Sequence, residues 1–367
     1  MDYGYLEYLL IVDDASTDST PQILDRWARD YGLRALRLHH NCKKEGAIRV
    51  GMEAIWKSGE LKPYTVLLDA DSMLLGDSSG RTMIDQIERC IDQMQKADYK
   101  ALALRIDPVI DSKLNIFEAC ATADYTAMQF DQWLVGLQDQ LWVINGPGGI
   151  FDTSHLLPIL QEMEPDFETG DLLITVKLMT QYQPIGFCPS FCVQTFVPSG
   201  LQSYFRQRRR WERGTTKVLW NELTFYLSIF ASLRLLALST VIHLSLYLGM
   251  IAALGLIVIG KMQWSNLSTV LVTSAALWFV VSVVKGAAIK RMRPEFQFWR
   301  YCSFSIMNSV LWLLITTPAR ITGFVEGVRQ ILSGAARPVR KDQEPVQYVW
   351  LGATPSAILV TQVLGKC

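Results

Sequence analysis

Tyr64-Thr65-Val66-Leu67-Leu68-Asp69-Ala70-Asp71 is a short apolar run that stops on two carboxylates one residue apart. It is too short and too rich in aromatic and aliphatic side chains for an amphipathic helix, so Tyr64 to Leu68 reads as a buried strand. Tyr8 to Val12 ends in the same way, on Asp13 and Asp14. Between these two strands Ser16 to Pro21 opens a helix, with Thr20 as N-cap and Pro21 in the first turn. Gly46 to Trp56 reads as a second helix. Lys100 to Ile106 and Leu141 to Ile144 read as further strands. Strands alternating with helices predict an α/β domain with a mostly parallel sheet, whose ligands lie at the carboxyl ends of the strands.

The chain has 367 residues, half of them hydrophobic, with 19% charged and a positive mean hydropathy of +0.18. That excess of apolar residues is concentrated in one half. Up to about Glu222 charges recur every few residues, as in a water-exposed fold. Leu235 to Gly260 then contains no Lys, Arg, Asp or Glu, and Leu267 to Val284 and Tyr301 to Ala319 repeat the pattern. A spanning helix needs roughly 20 apolar residues, so these runs predict about three transmembrane helices. The expected organisation is a catalytic domain over 1–222, a membrane domain with interfacial helices over 223–342, and a tail over 343–367.

Lys285, Lys290, Arg291, Arg293 and Arg300 lie between the second and third runs and mark that loop as cytoplasmic. The catalytic domain then faces the cytoplasm, and the short loop Lys261 to Asn266 faces outward. Arg320, Arg329, Arg337, Arg340 and Lys341 follow the third run, against the same rule. Either that run is re-entrant, or Tyr348 to Leu364 returns as a weak fourth span. No signal-peptide pattern opens the chain.

Formal net charge is zero, which gives no electrostatic basis for binding nucleic acid. The seven cysteines are odd in number, and Cys188 and Cys192, the nearest pair in sequence, lack the partners of a zinc site. They read as reduced thiols. No Gly-rich strand-to-helix turn marks a dinucleotide-binding oxidoreductase.

Four constellations carry chemistry. Asp13, Asp14, Ser16 and Asp18 follow a strand end, where carboxylates accept hydrogen bonds from a base or ribose, although such residues also serve as ordinary turn and cap groups. Asp69 and Asp71 form an acid pair which, in an extended segment, points to one side and addresses one hard divalent cation, Mg²⁺ or Mn²⁺. Glu168-Thr169-Gly170-Asp171 follows the Gly-rich Asn145-Gly146-Pro147-Gly148-Gly149, with a helix beginning near Asp171. Gln207-Arg208-Arg209-Arg210-Trp211 offers guanidinium forks for phosphate and a flat indole for a sugar or base. A membrane-surface basic patch is the alternative reading of that last segment.

The order and spacing of these elements resemble the family 2 inverting glycosyltransferases, in particular the processive cellulose, chitin and hyaluronan synthases. Asp13 to Asp18 is similar to their DDGSTD element, and Lys44 to Gly51 to their KAGALNAG helix. Asp69-Ala70-Asp71 matches DxD, Asn145-Gly146-Pro147 is similar to SGP, and Thr169-Gly170-Asp171 stands where the family has TED or GDD. Gln207 to Trp211 matches QxxRW in its QRRRW spelling. The resemblance runs from about Leu9 to Gly214.

It implies a GT-A, Rossmann-like nucleotide-diphospho-sugar transferase fold followed by transmembrane helices, in a multi-pass protein of the cell membrane. Asp13 and Asp14 would hold the uracil and ribose of a UDP-sugar, with Lys44 near the nucleotide. Asp69 and Asp71 would serve the donor and its metal, Asp71 the more directly. Asp171 would be the general base for the attacking acceptor hydroxyl, and Gln207, Arg210 and Trp211 would hold the diphosphate and the acceptor glycan. Partners would include the bilayer and accessory export subunits. The family also opens with a central strand ahead of the DDGSTD strand, for which only seven residues precede Tyr8. Two further readings remain: transfer of a single sugar to a lipid or other acceptor, and a transporter with a nucleotide-sensing domain.

Overall fold

The computed structural model describes residues 8–75, 82–109, 115–136, 141, 143–163, 168–181, 183–229, 256, 259–260, 263–293, 296–334, 348–351 and 360–363. The chain divides into two compact units, each assembled from distant segments. One comprises 1–107, 135–196 and 337–367, the other 108–134 and 197–336.

The first unit is built on a nine-stranded sheet: β1 (Leu10–Asp13), β2 (Arg34–Leu38), β3 (Tyr64–Asp69), β4 (Ser72–Leu75), β5 (Ala101–Val109), β6 (Gly148–Asp152), β7 (Ile185–Phe196), β8 (Tyr348–Leu351) and β9 (Val360–Val363), in the order β4-β7-β5-β6-β3-β9-β1-β2-β8. Its helices are α1 (Thr20–Tyr31), α2 (Lys43–Lys57), α3 (Met83–Ala97), α5 (Thr153–Glu162) and α6 (Gly170–Thr180). The apolar strands that the sequence announces are buried: every residue of β1 is inaccessible, as are Val66, Leu67 and Leu68 of β3. Val66, Leu68, Leu102, Leu104, Ile150 and Val193 of the sheet pack with Cys90 and Met94 of α3. That helix starts on a capping box, Thr82 Oγ1 accepting from Asp85 N (3.1 Å) and Asp85 Oδ2 from Thr82 N (3.0 Å). The Cys188 thiol lies 3.5 Å from that of Cys90, a partner far away in sequence, rather than pairing with Cys192.

Four expectations are corrected. The sheet is parallel in its centre, where β9 pairs with both β1 and β3 and β1 pairs with β2. The pairs β3–β6, β5–β6, β4–β7 and β2–β8 are antiparallel. Apolar runs look alike in either direction when both faces are covered, so direction was illegible. Leu141–Ile144 is not a strand. Leu141, Val143 and Ile144 are buried in irregular backbone, and the strand begins at Gly148. The first helix is preceded by Ser19 at its N-cap rather than Thr20. Finally, Tyr348–Leu351 and Val360–Val363 are strands, not parts of a fourth span. β9 occupies the central position between β1 and β3, with Val360 opposite Leu10 and Leu67.

The second unit contains α4 (Ile116–Gly136), α7 (Leu201–Asn221), α8 (Leu223–Ile229), α9 (Trp264–Met292), α10 (Phe298–Leu311), a π-helical turn (Trp312–Thr316) and α11 (Thr317–Leu332). Ala119 and Ala123 of α4 pack against Tyr301, Cys302 and Phe304 of α10. Lys285 of α9, one of the cations that suggested a cytoplasmic loop, pairs with Asp131 at 2.7 Å. Arg213 of α7 donates to Glu326 of α11 at 2.8 Å, and Arg320 lies 3.8 Å from Glu212.

Among the described residues no helix is long and apolar enough to cross a membrane. The run Leu235–Gly260 lies almost wholly outside them, as do many side chains of the run Leu267–Val284. Where side chains of α9 are described, Val272 and Val284 stand 68% and 65% exposed. The third run is one continuous helical path from α10 through the π turn into α11.

Candidate active site

β1 delivers Asp13 and Asp14 to the end of the sheet. Asp13 Oδ1 accepts from Ser16 N (2.9 Å), and Asp14 Oδ1 from Cys42 N (2.6 Å) at the start of α2. The remaining oxygens, Asp13 Oδ2 and Asp14 Oδ2, are buried and have no hydrogen-bond partner among the described residues. Arg37 Nε approaches Asp13 Oδ2 only to 3.6 Å. Burial raises the Asp14 carboxyl above its ordinary value, against the hydrogen bond from Cys42 N that lowers it. A buried carboxylate with an open lone pair is costly unless a donor arrives. The loop that holds the pair is itself strained, since Ala15 (φ 58°) and Lys43 (φ 61°) both sit in the left-handed region.

Lys44, in the first turn of α2, ties three segments together. Its ammonium bonds Asp69 Oδ1 at the end of β3 and donates to the carbonyl of Gly146 (3.2 Å). Gly146 N in turn donates to Asp171 Oδ2 (3.0 Å), in the first turn of α6. A Cβ at 146 would stand 2.7 Å from Lys44 Nζ and 3.3 Å from Asp171 Oδ2, so any side chain there would push the ammonium out of this arrangement. Burial alone would push the Lys44 ammonium down. Asp69 foremost, then Asp171 and Glu45, pull it above its usual value, so it stays charged.

Asp171 Oδ1 accepts from Leu172 N (2.8 Å), and the carbonyl of Asp171 accepts from Thr175 Oγ1 (2.7 Å). Thr175 Oγ1 also accepts from Ile144 N (2.9 Å), which pins the buried segment before Gly146 to the base of the helix. Thr175 and Glu45 went unread in the sequence. The former looked like one polar residue on an apolar helix, and the latter like an ordinary helix acid.

Asp69 ends β3 and Asp71 lies in the tight turn that leads to β4, formed by Ala70 and Asp71, so the two are not in one extended segment. Asp71 is exposed, with Ser72 Oγ 3.4 Å from its Oδ1. Among the described residues no cluster of three or more acids, histidines or cysteines exists to cage a metal. Two carboxylates on one turn, one already holding a cationic ammonium, fit a hard divalent ion that takes its other ligands from phosphate and water.

Residues 3–119 match the family model of Glycosyl transferase family 2. That match places a glycosyltransferase family 2 domain within residues 3–119. It is 25% identical over 222 residues to a poly-beta-1,6-N-acetyl-D-glucosamine synthase of Staphylococcus epidermidis, covering 58% of this chain and 50% of that protein. It is 22% identical over 332 residues to an N-acetylglucosaminyltransferase of Azorhizobium caulinodans, covering 85% of this chain and 75% of that one. The chain thus spans about half the length of the synthase it matches. A mannosyltransferase from Pyrobaculum calidifontis, solved in complex with GDP-Man and Mn2+, shares the fold with a TM-score of 0.50 at 16% identity, over 83% of this chain and 77% of that one.

Two departures from the glycosyltransferase motifs acquire a physical meaning. Ala15 replaces the glycine of DDGSTD while keeping the left-handed backbone that glycine adopts without strain. Gly170 stands where both TED and GDD carry an acid. Of the remaining candidates, Gln207, Arg210 and Trp211 all belong to α7 of the second unit. Arg210 is exposed, Gln207 Oε1 is buried with no hydrogen-bond partner among the described residues, and Trp211 is half-buried. One face of the indole is covered by the Arg208 guanidinium, 4.5 Å from the ring centroid, and Tyr125 meets the ring at 6.1 Å.

Proposed function

We propose that the chain is a membrane-bound inverting glycosyltransferase that moves N-acetylglucosamine, or a related hexose, from a UDP-sugar to a growing polysaccharide. The observation that carries this reading is the chain of contacts from Asp69 through Lys44 and Gly146 to Asp171. It gathers the donor-side carboxylate, a cation and the base around one glycine. The names of the two relatives support an N-acetylglucosamine donor and a polysaccharide product, and the GDP-Man and Mn2+ bound to the mannosyltransferase support a nucleotide-linked donor and a divalent ion.

The open oxygens of Asp13 and Asp14 would accept from the base and ribose. Lys44 would balance the charge gathering on the departing diphosphate, beside a Mg²⁺ or Mn²⁺ ion held by Asp69 and Asp71 that supplies Lewis-acid stabilisation of that leaving group. Asp171 takes the proton from the acceptor hydroxyl as its oxygen bonds the anomeric carbon and the bond from that carbon to phosphate breaks. Gln207, Arg210 and Trp211 are assigned to the diphosphate and acceptor. The uncharged runs and the exposed valines of α9 support a location in the cell membrane with the catalytic domain cytoplasmic.

The test is to incubate membranes carrying the full chain with a panel of UDP-sugars and Mg²⁺ or Mn²⁺, and to size the product. Long polymer is expected even at low donor conversion, and EDTA is expected to abolish it. Full activity in chelator would remove the metal from the mechanism. A single-sugar adduct on lipid would replace the polymerase reading, and release of free sugar alone would sink transfer.

A further inference from the structure

Glu45, beside Lys44 on α2, has its side chain driven inward and is only 8% exposed. The space it enters is the one that a side chain at position 170 would fill. A Cβ built on Gly170 would overlap Cγ, Cδ and Oε1 of Glu45. Gly170 is the first residue of α6 and immediately precedes the base. It is also the position at which the TED and GDD spellings carry an acid, while Glu45 stands where the KAGALNAG spelling carries alanine. Both departures fall on the same few cubic ångströms of the site.

We propose that Glu45 is a positioning residue that supplies, from α2, the acidic group otherwise carried by the residue before the base, and that Gly170 is glycine in order to admit it. This rests on the assignment of Asp171 as base. The groups facing Glu45 are Lys44 from its own helix, Asp171 from α6 and Asp69 from β3. Burial pushes its carboxyl up to about 7, Lys44 opposing and the two aspartates adding to the rise. An acid there sets the local field at Asp171 and fills the volume against which the first turn of α6 rests. It touches no reacting atom.

The swap gives a double-mutant cycle with a definite sign, since two residues in contact couple where distant ones add. Glu45→Ala loses the acid, and Gly170→Glu forces two side chains into one space, so each alone should lower kcat at least tenfold. Glu45→Ala/Gly170→Glu restores the acid from the other helix and should recover at least tenfold over the weaker single variant. Glu45→Gln keeps the shape without the charge. It should lower kcat severalfold at unchanged donor KM, a split that a general loss of folding would not give.

A double variant that is folded but no better than the weaker single would overturn the proposal. So would a Glu45→Gln enzyme with wild-type kcat and KM, which decides the matter even where the alanine or double variant fails to fold. Wild-type transfer and its loss in Asp171→Asn are measured first in the same preparation. An inactive wild type, or an active Asp171→Asn, would instead defeat the transferase reading on which this one stands.

Discussion

Each unit of the molecule contains a cation bound to an aspartate, buried in one and half-buried in the other, and the two pairs are finished to different degrees. In the helical unit Arg208 is 2% exposed and donates to Asp124 Oδ2 at 2.7 Å. Asp124 also accepts from Tyr204 OH (3.3 Å) and from Asn308 Nδ2 (2.6 Å). The guanidinium lies over the rings of Tyr204 and Trp211, at 4.8 and 4.5 Å from their centroids. α4, α7 and α10 are thereby joined through one saturated carboxylate.

In the sheet unit Lys44 and Asp69 sit among more acid than they can balance. Glu45 is pushed up to about 7, Asp14 is raised, and two buried carboxylate oxygens have no hydrogen-bond partner among the described residues. The satisfied Asp124 carboxylate holds helices together, although Arg208 Nε and Asn308 Oδ1 beside it have no hydrogen-bond partner among the described residues, whereas the open carboxylate oxygens of Asp13 and Asp14 stand ready for a ligand that brings donors. Satisfying the first carboxylate and leaving the others open is how one chain serves stability and binding with the same residue types.

That contrast can be broken by substitution, and the largest effect belongs to the unsaturated site. Asp171→Asn should reduce kcat by about 10²–10⁴-fold, the contribution of a positioned base. Its melting temperature should stay near that of the wild type, and donor affinity should persist because Asp13, Asp14 and Asp69 are untouched. A parallel collapse of donor affinity would make Asp171 a helix cap instead.

Arg208→Met should show the opposite signature. Removing one partner of a buried pair costs about 3–5 kcal/mol, and the partial exposure of Asp124 places the effect at the low end. The urea midpoint should fall clearly with the slope unchanged. An unaltered midpoint would mean that the cluster is not structural.

Trp211→Phe keeps a ring under the guanidinium and should cost less than Trp211→Ala, the difference being about 1 kcal/mol for the cation–ring contact. If polymer length shortens in both while stability falls only in the alanine variant, the indole serves the acceptor as well as Arg208. Equal stability in the two would remove the stacking argument.

The smallest effect is a pH dependence. The Glu45 carboxyl is raised in the folded state from 4.5 to about 7. Its contribution to stability is therefore full below pH 4.5 and is lost as pH rises through about 7. Glu45→Gln should flatten that decline in melting temperature over the same window. A decline of equal size in the variant would assign it to other groups.

Much of the candidate site was legible because its signals are local. An acid at the end of an apolar run, a glycine-rich turn, or an acid at a helix start depends on neighbours within a few residues. Asp13, Asp14, Asp69 and Asp171 each declare themselves in this way, and Lys44 is found through the spelling of its helix. The partners of Asp124 and the contact of Glu45 with Gly170 join residues far apart in sequence, and no spacing rule reaches them. Arg208 was passed over in favour of Arg210 for the same reason. A run of three arginines does not say which one turns inward, but helical periodicity against α4 and α10 buries the first and leaves the third in solvent.

By itself the sequence determined the class of fold, the positions of β1, β3 and β5 and of α2 and α6, and which carboxylates stand at the ends of strands. These follow from side-chain periodicity and from which residues tolerate turns, properties set before the chain folds. Tertiary structure alone decided the direction of the outer strands and the placing of β9 between β1 and β3, since a short buried strand pairs with whichever open edge satisfies its backbone. It also decided that Glu45 fills the space Gly170 leaves open. A helix can aim an acid inward, but only the packing of α2 against α6 determines whether there is room for it.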